Sequence, residues 1–217
     1  MSDGTLTTLG NHWTLRPYGV AGWLVTPSED PASTLPLLTS AIDESPPPHF
    51  VEWVSGYDDL LLLFSRAILK CELASFLQSL SQPKSETPDG KLHKIDVRYD
   101  GPDLEEIATA KGLTINELIH LHSTPCYNVR LLGFAPGFAY LDGLDPKLHH
   151  PRRSSPRAQM IAGAVAIGGA HTGVYSVPSP GGWNWIGNSD HPLFTPENSD
   201  HPFTLAPGDK VQLRRKN

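Results

Sequence analysis

The stretch Ala162-Gly-Ala-Val-Ala-Ile-Gly-Gly-Ala-His-Thr-Gly-Val-Tyr-Ser-Val-Pro-Ser-Pro-Gly-Gly-Trp183 decides the fold. Glycine and proline interrupt its small apolar residues every few positions, and no long helical pattern survives across it. Short apolar segments punctuated in this way read as strands joined by tight turns, the pattern of a small β-barrel or sandwich. The same rhythm begins at Cys126, with segments of about four to eight residues. The chain of 217 residues holds 19 glycines and 21 prolines, and they concentrate after Gly133, so its second half is built of turns.

Upstream of that half the periods change. His93 to Tyr99 alternates as a strand. Asp103-Leu104-Glu105-Glu106 opens a helix with acids at the positive end of its dipole, and Gly112 ends it. Thr114-x-x-Glu117 is a capping box for a further helix through His122, stopped by Ser123-Thr124-Pro125. Ser81 to Lys91, rich in proline, serine and charge, reads as a linker.

Before the linker, Trp13 to Tyr18 and Gly22 to Thr26 form a plausible hairpin around Gly19-Val20-Ala21. Leu35, Leu38 and Ile42 share one face of a short helix that Pro46-Pro47-Pro48 ends. Phe50 to Val54 and Leu60 to Phe64 follow as strands around Gly56-Tyr57-Asp58-Asp59, the second an apolar run expected to be covered on both faces. Ser65 is expected to cap a helix through Leu80, whose stripe is Ile68, Leu69, Leu73, Phe76, Leu77 and Leu80. The expected architecture is an α+β N-terminal domain over residues 1–90 followed by a mainly-β domain over residues 91–217.

A hydrophobic fraction of 39% with 18% charged residues belongs to a folded chain. The net charge of −6 argues against nucleic acid or an anionic membrane, since both reward clustered Lys and Arg. There is no apolar run of about 18 residues, and Met1-Ser2-Asp3-Gly4 is unlike a signal peptide, so a cytoplasmic location is expected. Cys71 and Cys126, without a CxxC, suit a reducing compartment.

Four segments carry the chemistry. In Gly133-Phe-Ala-Pro-Gly-Phe-Ala-Tyr140, an irregular backbone suspends Phe134, Phe138 and Tyr140, which either wall a pocket or fill the end of the barrel. Pro151-Arg-Arg-Ser-Ser-Pro-Arg157 holds Arg152, Arg153 and Arg157 between prolines, which suits binding of a carboxylate or phosphate over a solvated charge run. The glycines of Gly168-Gly169 and Gly181-Gly182 allow consecutive N–H groups to face a ligand oxygen, although tight barrel corners need the same residues. His171, in Gly168-Gly-Ala-His-Thr-Gly173, can act as an acid, a base or an oxyanion donor, or simply pack.

No glycine-lysine phosphate loop or dinucleotide fingerprint is present, so no nucleotide site is expected here. The ten histidines invite a metal reading, in particular His120-x-His122, His149-His150 and the repeated Asn-Ser-Asp-His-Pro at 188–192 and 198–202. Spacing argues against metal, because residues 120 and 122 point to different faces of a helix and the repeat lies in proline-rich loop sequence. There is also no G-x-S-x-G elbow for an independent serine hydrolase.

Taken in order, GFAPGFAYLDGL, PRRSSPR, AGAVAIGGAHTGVYSVPSPGGW and the following Ile186-Gly187 resemble the allophanate hydrolase subunit 1 family. That family includes the B component of 5-oxoprolinase, the Kip-type kinase inhibitor, and subdomains C and D of the urea carboxylase carboxyltransferase domain. The resemblance runs from about Trp13 to Arg215 and is most specific over residues 99–187, with Gly101-Pro102-Asp103-Leu104 as a further landmark. His171-Thr172-Gly173 stands where the family usually reads Gln-Thr-Gly, and Ile186-Gly187-Asn188-Ser189-Asp190 where it usually reads Ile-Gly-Arg-Thr-Pro.

The resemblance implies a cyclophilin-like barrel for the second domain. It also implies a companion subunit, of the allophanate hydrolase subunit 2 type, carrying a second such barrel that completes the pocket. The reaction it implies is ATP-dependent opening of 5-oxoproline to glutamate, or carboxyl transfer from carboxybiotin to urea, with no cofactor on this chain and ATP or biotin handled elsewhere in the complex. In that setting Arg152, Arg153 or Arg157 holds the substrate carboxylate, the 168–173 loop with Gly168, Gly169 and Thr172 steadies the oxyanion, and Tyr140 and His171 relay protons. The alternative is a non-catalytic protein that binds and inhibits a kinase or similar partner. A prolyl isomerase ranks last, because fold does not transfer activity.

Overall fold

The computed structural model describes residues 5–8, 11–80 and 90–216, with side chains described from Trp13. The chain divides into two compact units, residues 1–88 and 89–217. The linker expected at Ser81–Lys91 lies almost wholly outside the described residues.

In the first unit, β1 (Thr5–Thr8), β2 (Asn11–Tyr18), β3 (Gly22–Pro27), α1 (Pro31–Glu44), β4 (Phe50–Ser55), β5 (Leu60–Phe64) and α2 (Lys70–Ser79) follow in turn. The strands make one antiparallel sheet in the order β1-β2-β3-β5-β4. Trp13, Val25, Leu38, Ile42, Leu60, Leu62 and Leu77 share its core with both helices. The expected hairpin is present, with Tyr18 opposite Gly22.

Three details differ from expectation. On β5 only Leu60, Leu62 and Phe64 are fully buried, while Leu61 and Leu63 are half-buried, so the apolar run alternates like an ordinary strand. Helix α1 has 14 residues, because Asp30 accepts the Ser33 N–H and Pro31 opens the first turn. Ser65 caps nothing: its N–H donates to the His49 carbonyl, and α2 begins only at Lys70, where the Glu72 carboxylate accepts the Leu69 N–H at 2.9 Å. Leu69 accordingly leaves the stripe and is exposed.

The second unit comprises β6 (Leu92–Val97), α3 (Leu104–Ala110), α4 (Ile115–Ser123), β7 (Cys126–Leu132), β8 (Ala139–Asp142), β9 (Arg157–Met160), β10 (Ala164–Gly168), β11 (His171–Val174), β12 (Ser179–Gly181), β13 (Asn184–Asn188) and β14 (Lys210–Arg215). Seven of these strands form a sheet in the order β13-β10-β11-β8-β7-β14-β6, and β9 pairs with β12 beside it. Among the described strands, only β6 and β14 run parallel. Beyond β6, Arg98 and Asn188 exchange backbone bonds of 2.8 and 2.7 Å, so the two edges of the curled sheet are stitched together at this corner. Gly101 makes that approach possible, since a Cβ there would collide with the Trp185 and Ile186 backbone.

Val97, Val129, Leu141, Val165, Ile167, Ile186, Val211 and Leu213 fill the inside of the sheet, and Leu104, Ile107 and Leu118 of the two helices join them. The capping box of α4 forms as expected: Thr114 Oγ1 accepts the Glu117 N–H at 3.2 Å, and Glu117 accepts the Thr114 N–H at 2.8 Å.

His120 is exposed and His122 fully buried. Thr172 donates its hydroxyl proton to the Ala166 carbonyl at 3.0 Å, so it must accept from His122 Nε2 at 2.8 Å. His122 Nδ1 is therefore the acceptor, taking the Tyr99 O–H at 2.8 Å. Burial holds this imidazole neutral and pushes its pKa down to about 3.

The repeated pentapeptide occupies two environments. In the first copy Asn188 donates to Asp100 and accepts from the Trp185 indole, and Ser189 is buried; in the second, residues 198–201 are exposed. Phe194, between the copies, stacks at 5.5 Å on Phe203, which follows the second copy, across a short bridge.

Candidate functional site

A cavity of about 180 Å³ opens in the second unit, lined by Phe134, Phe138, Tyr140, Arg152, Arg153, Pro156, Tyr175, Gly181, Gly182 and Trp183. It is smaller than the pockets that take drug-sized ligands and suits a compact metabolite. Two of the sequence segments singled out above meet here with the Gly181-Gly182 pair.

The floor is an aromatic cluster centred on Phe138, which is 1% exposed and packs edge-to-face against Tyr140 and Tyr175 at 5.2 Å and Trp183 at 5.4 Å. Each such pair contributes about 0.5–1.5 kcal/mol beyond simple burial. Phe138 is thus chiefly a packing residue. Phe134 is 61% exposed on the rim and has φ 69, a left-handed conformation that a bulky residue adopts only when its surroundings impose it. Tyr175 and Trp183 went unremarked in the sequence. Burial raises the pKa of the Tyr175 hydroxyl, against a bond from the Trp183 backbone and the nearby Arg152 charge.

The three arginines part company. Arg153 and Arg157 both donate to Asp103 Oδ1, Arg153 at 2.9 Å, and Trp185 N–H donates to Asp103 Oδ2 at 2.7 Å. The Asp103 side chain is 4% exposed, and removing one partner of such a buried pair costs about 3–5 kcal/mol. Asp103 occupies the cap position of α3 without making a capping bond, because its carboxylate is turned to the arginines. Arg157 therefore lies outside the cavity lining. Arg152 is exposed, borders the cavity and makes no ion pair with any described residue.

The 168–173 loop is engaged elsewhere. The Gly169 N–H donates to the His150 carbonyl at 2.7 Å, Gly168 lies beneath the Trp183 indole, and Thr172 belongs to the buried His122 network. These three residues are removed from the cavity by backbone pairing and burial. His171 also stands outside the lining, behind Tyr140, with ring centres 6.4 Å apart. Its Nδ1 meets Asp142 Oδ1 at 3.1 Å. Asp142 and Asp103 were the missed partners. Three arginines in one short segment were the available hint that a buried acid stood nearby.

Residues 13–205 match the family described as carboxyltransferase domain, subdomain C and D. This chain belongs to that family. Among the relatives of this carboxyltransferase-domain chain, the B component of 5-oxoprolinase from Escherichia coli O157:H7 is 39% identical over 171 residues, covering 76% of this chain and 78% of that protein. The crystal structure of TTHA0988 superposes with a TM-score of 0.79 at 35% identity, covering 91% of this chain. This chain spans only 40% of the TTHA0988 chain. The urea carboxylase of Kluyveromyces lactis shares the fold, with a TM-score of 0.76 at 21% identity over 98% of this chain and 22% of that enzyme. The carboxyltransferase-domain fold here is thus a mixed α/β one with a curled sheet.

Proposed function

We propose that this chain is a subunit of an ATP-dependent 5-oxoprolinase that opens 5-oxoproline to glutamate, and that it is active only with a companion subunit. One observation carries the reading: a cavity of about 180 Å³ joins aromatic walls to an arginine without an ion-pair partner among the described residues. 5-Oxoproline is a flat five-membered lactam with one carboxylate, ionised at neutral pH. Its ring fits against Phe134, Tyr140 and Trp183, and its carboxylate against the Arg152 guanidinium. The relatives that carry the name of the 5-oxoprolinase B component support the same substrate.

In the reaction the lactam C–N bond breaks, water delivers oxygen to the carbonyl carbon, and the nitrogen leaves as the glutamate amine. In this reading Tyr140 moves a proton at that nitrogen, supported by its position in the cavity lining, and His171, bonded to Asp142 and in edge contact with the Tyr140 ring, positions it. ATP is handled by another chain. We assign the second unit to the cyclophilin-like barrels and the first to small α+β domains, with the boundary near residue 90 and a cytoplasmic location. The companion is of the allophanate hydrolase subunit 2 type; the length of the TTHA0988 chain leaves room for such a partner in one polypeptide.

The test is reconstitution. This chain and its companion, mixed with 5-oxoproline and ATP, are expected to release glutamate at a rate neither shows alone. A complex that forms without ATP-dependent glutamate release defeats the reading and favours a regulatory binding protein.

A further inference from the structure

We infer that Asp103 is a positioning residue for the substrate: it pins the 151–157 segment so that Arg152, the neighbour of a pinned arginine, presents its guanidinium to the cavity. The inference rests on the reading of the cavity as a carboxylate site. Its geometry is independent of the reaction.

The 151–157 segment is tied down at both ends of its first half. Asn184 donates to the Pro151 carbonyl at 2.9 Å, and the Arg153 N–H donates to the Gly182 carbonyl at 2.7 Å. Gly182 and Arg153 both line the cavity, so this tie sets the width of the cavity edge. Both Arg152 and Arg153 line the cavity, but Arg153 is half-buried and held on Asp103, whereas its neighbour Arg152 is exposed, so fixing Arg153 fixes the backbone from which Arg152 projects.

Among the described residues, Asp103 is the one side chain that holds both guanidiniums of the segment. Arg153 and Arg157 each reach it through one terminal nitrogen, and the Nε of each is buried without a hydrogen-bond partner. Neither guanidinium has a second side-chain tie among the described residues to hold it if the carboxylate goes. The Trp185 N–H fixes Asp103 in turn from the start of β13, next to the cavity wall at Trp183. One carboxylate against two guanidiniums also leaves the segment with a surplus positive charge beside Arg152, which favours an anion at the cavity mouth.

The experiment uses the full chain with its companion subunit, comparing wild type, Asp103→Asn, Arg152→Gln and the double variant. Asparagine keeps the shape and can still accept from Trp185 while losing the charge that holds the arginines. Asp103→Asn is expected to raise KM for 5-oxoproline roughly ten- to a hundredfold, the scale on which misplaced binding groups act. Arg152→Gln is expected to do the same, and the double variant to match Arg152→Gln alone, because Asp103 acts through Arg152. Effects that multiply instead, or an Asp103→Asn enzyme with unchanged KM, overturn the inference. Should Asp103→Asn fail to fold, Arg157→Gln removes one arginine from the anchor and leaves Asp103 paired with Arg153; its smaller KM rise must also vanish in the Arg152→Gln background. Calorimetric binding of 5-oxoproline separates the two claims. Binding with the predicted coupling but no turnover sinks only the proposed reaction, binding without coupling sinks only the positioning role, and no binding to wild type sinks both.

Discussion

Lowering the pH from 7 to about 4.5 should destabilise the second unit through one residue, His122. In the unfolded chain this imidazole protonates with an ordinary pKa of 6.5, whereas in the folded chain burial holds protonation off until about 3. Between those values the unfolded state binds more protons, so stability is complete above 6.5 and falls as the pH drops towards 3. At about pH 4.5 the lost stability is two pKa units at about 1.4 kcal/mol each, or roughly 3 kcal/mol. The group is fully buried, so solvent screening does not reduce this figure. Nδ1 accepts from Tyr99 and Nε2 donates to Thr172, so protonation would set an Nδ1–H donor against the Tyr99 O–H donor and force that hydroxyl to turn away.

The assay is denaturant unfolding of the full chain at both pH values, for wild type and for His122→Gln, following amide exchange in the second unit so that the first unit does not confuse the transition. Other titrating groups cancel in the difference, leaving wild type to lose roughly 3 kcal/mol more than the variant. Proton NMR of the His122 ring should show no titration between pH 7 and 4.5. Equal acid sensitivity in the two proteins, or a ring that titrates near 6.5 in the native state, refutes the reasoning.

Two further substitutions probe the cavity. A Cβ at Gly168 would stand 2.6 Å from the Trp183 indole, so Gly168→Ala should displace that wall, cost about 1–3 kcal/mol in unfolding measurements and raise KM for 5-oxoproline in the reconstituted enzyme. Phe134→Gly should relieve a left-handed backbone worth about 1–2 kcal/mol while giving up edge-to-face contacts worth about 0.5–1.5 kcal/mol each with Phe138 and Tyr175. Its stability should therefore change by less than about 1 kcal/mol while KM rises severalfold, a separation that unfolding and steady-state kinetics measure together.

What could be read before the structure was whatever depends on neighbours in sequence. The turn at Gly19, the capping box at Thr114 and the strand rhythm after Cys126 are local, and they form as expected. Phe134, Phe138 and Tyr140 were legible as an aromatic group for the same reason, with wall and filler both open; all three border the cavity, Phe138 as a buried packing residue. The fate of Arg153 and Arg157 was not, because their counter-ion lies some fifty positions upstream at a helix start, where an acid has a sufficient local explanation. Gly168, Gly169 and Thr172 were less legible: glycine suits both an amide cradle and a crowded sheet, and the Trp183 ring, the His150 pairing and the His122 bond around them come from distant parts of the sequence. Ser65 is not the cap because α2 starts further on, at Lys70, with Leu69 at the cap position and Glu72 accepting its N–H.

The repeated pentapeptide has a practical corollary. Asn188 and Ser189 are held by Trp185, Asp100 and the surrounding fold, whereas the same letters at 198 and 199 face water. An antibody raised against Asn-Ser-Asp-His-Pro would therefore find one epitope per native molecule and two per denatured one. The ratio of those signals would report whether the corner where the sheet edges meet is intact.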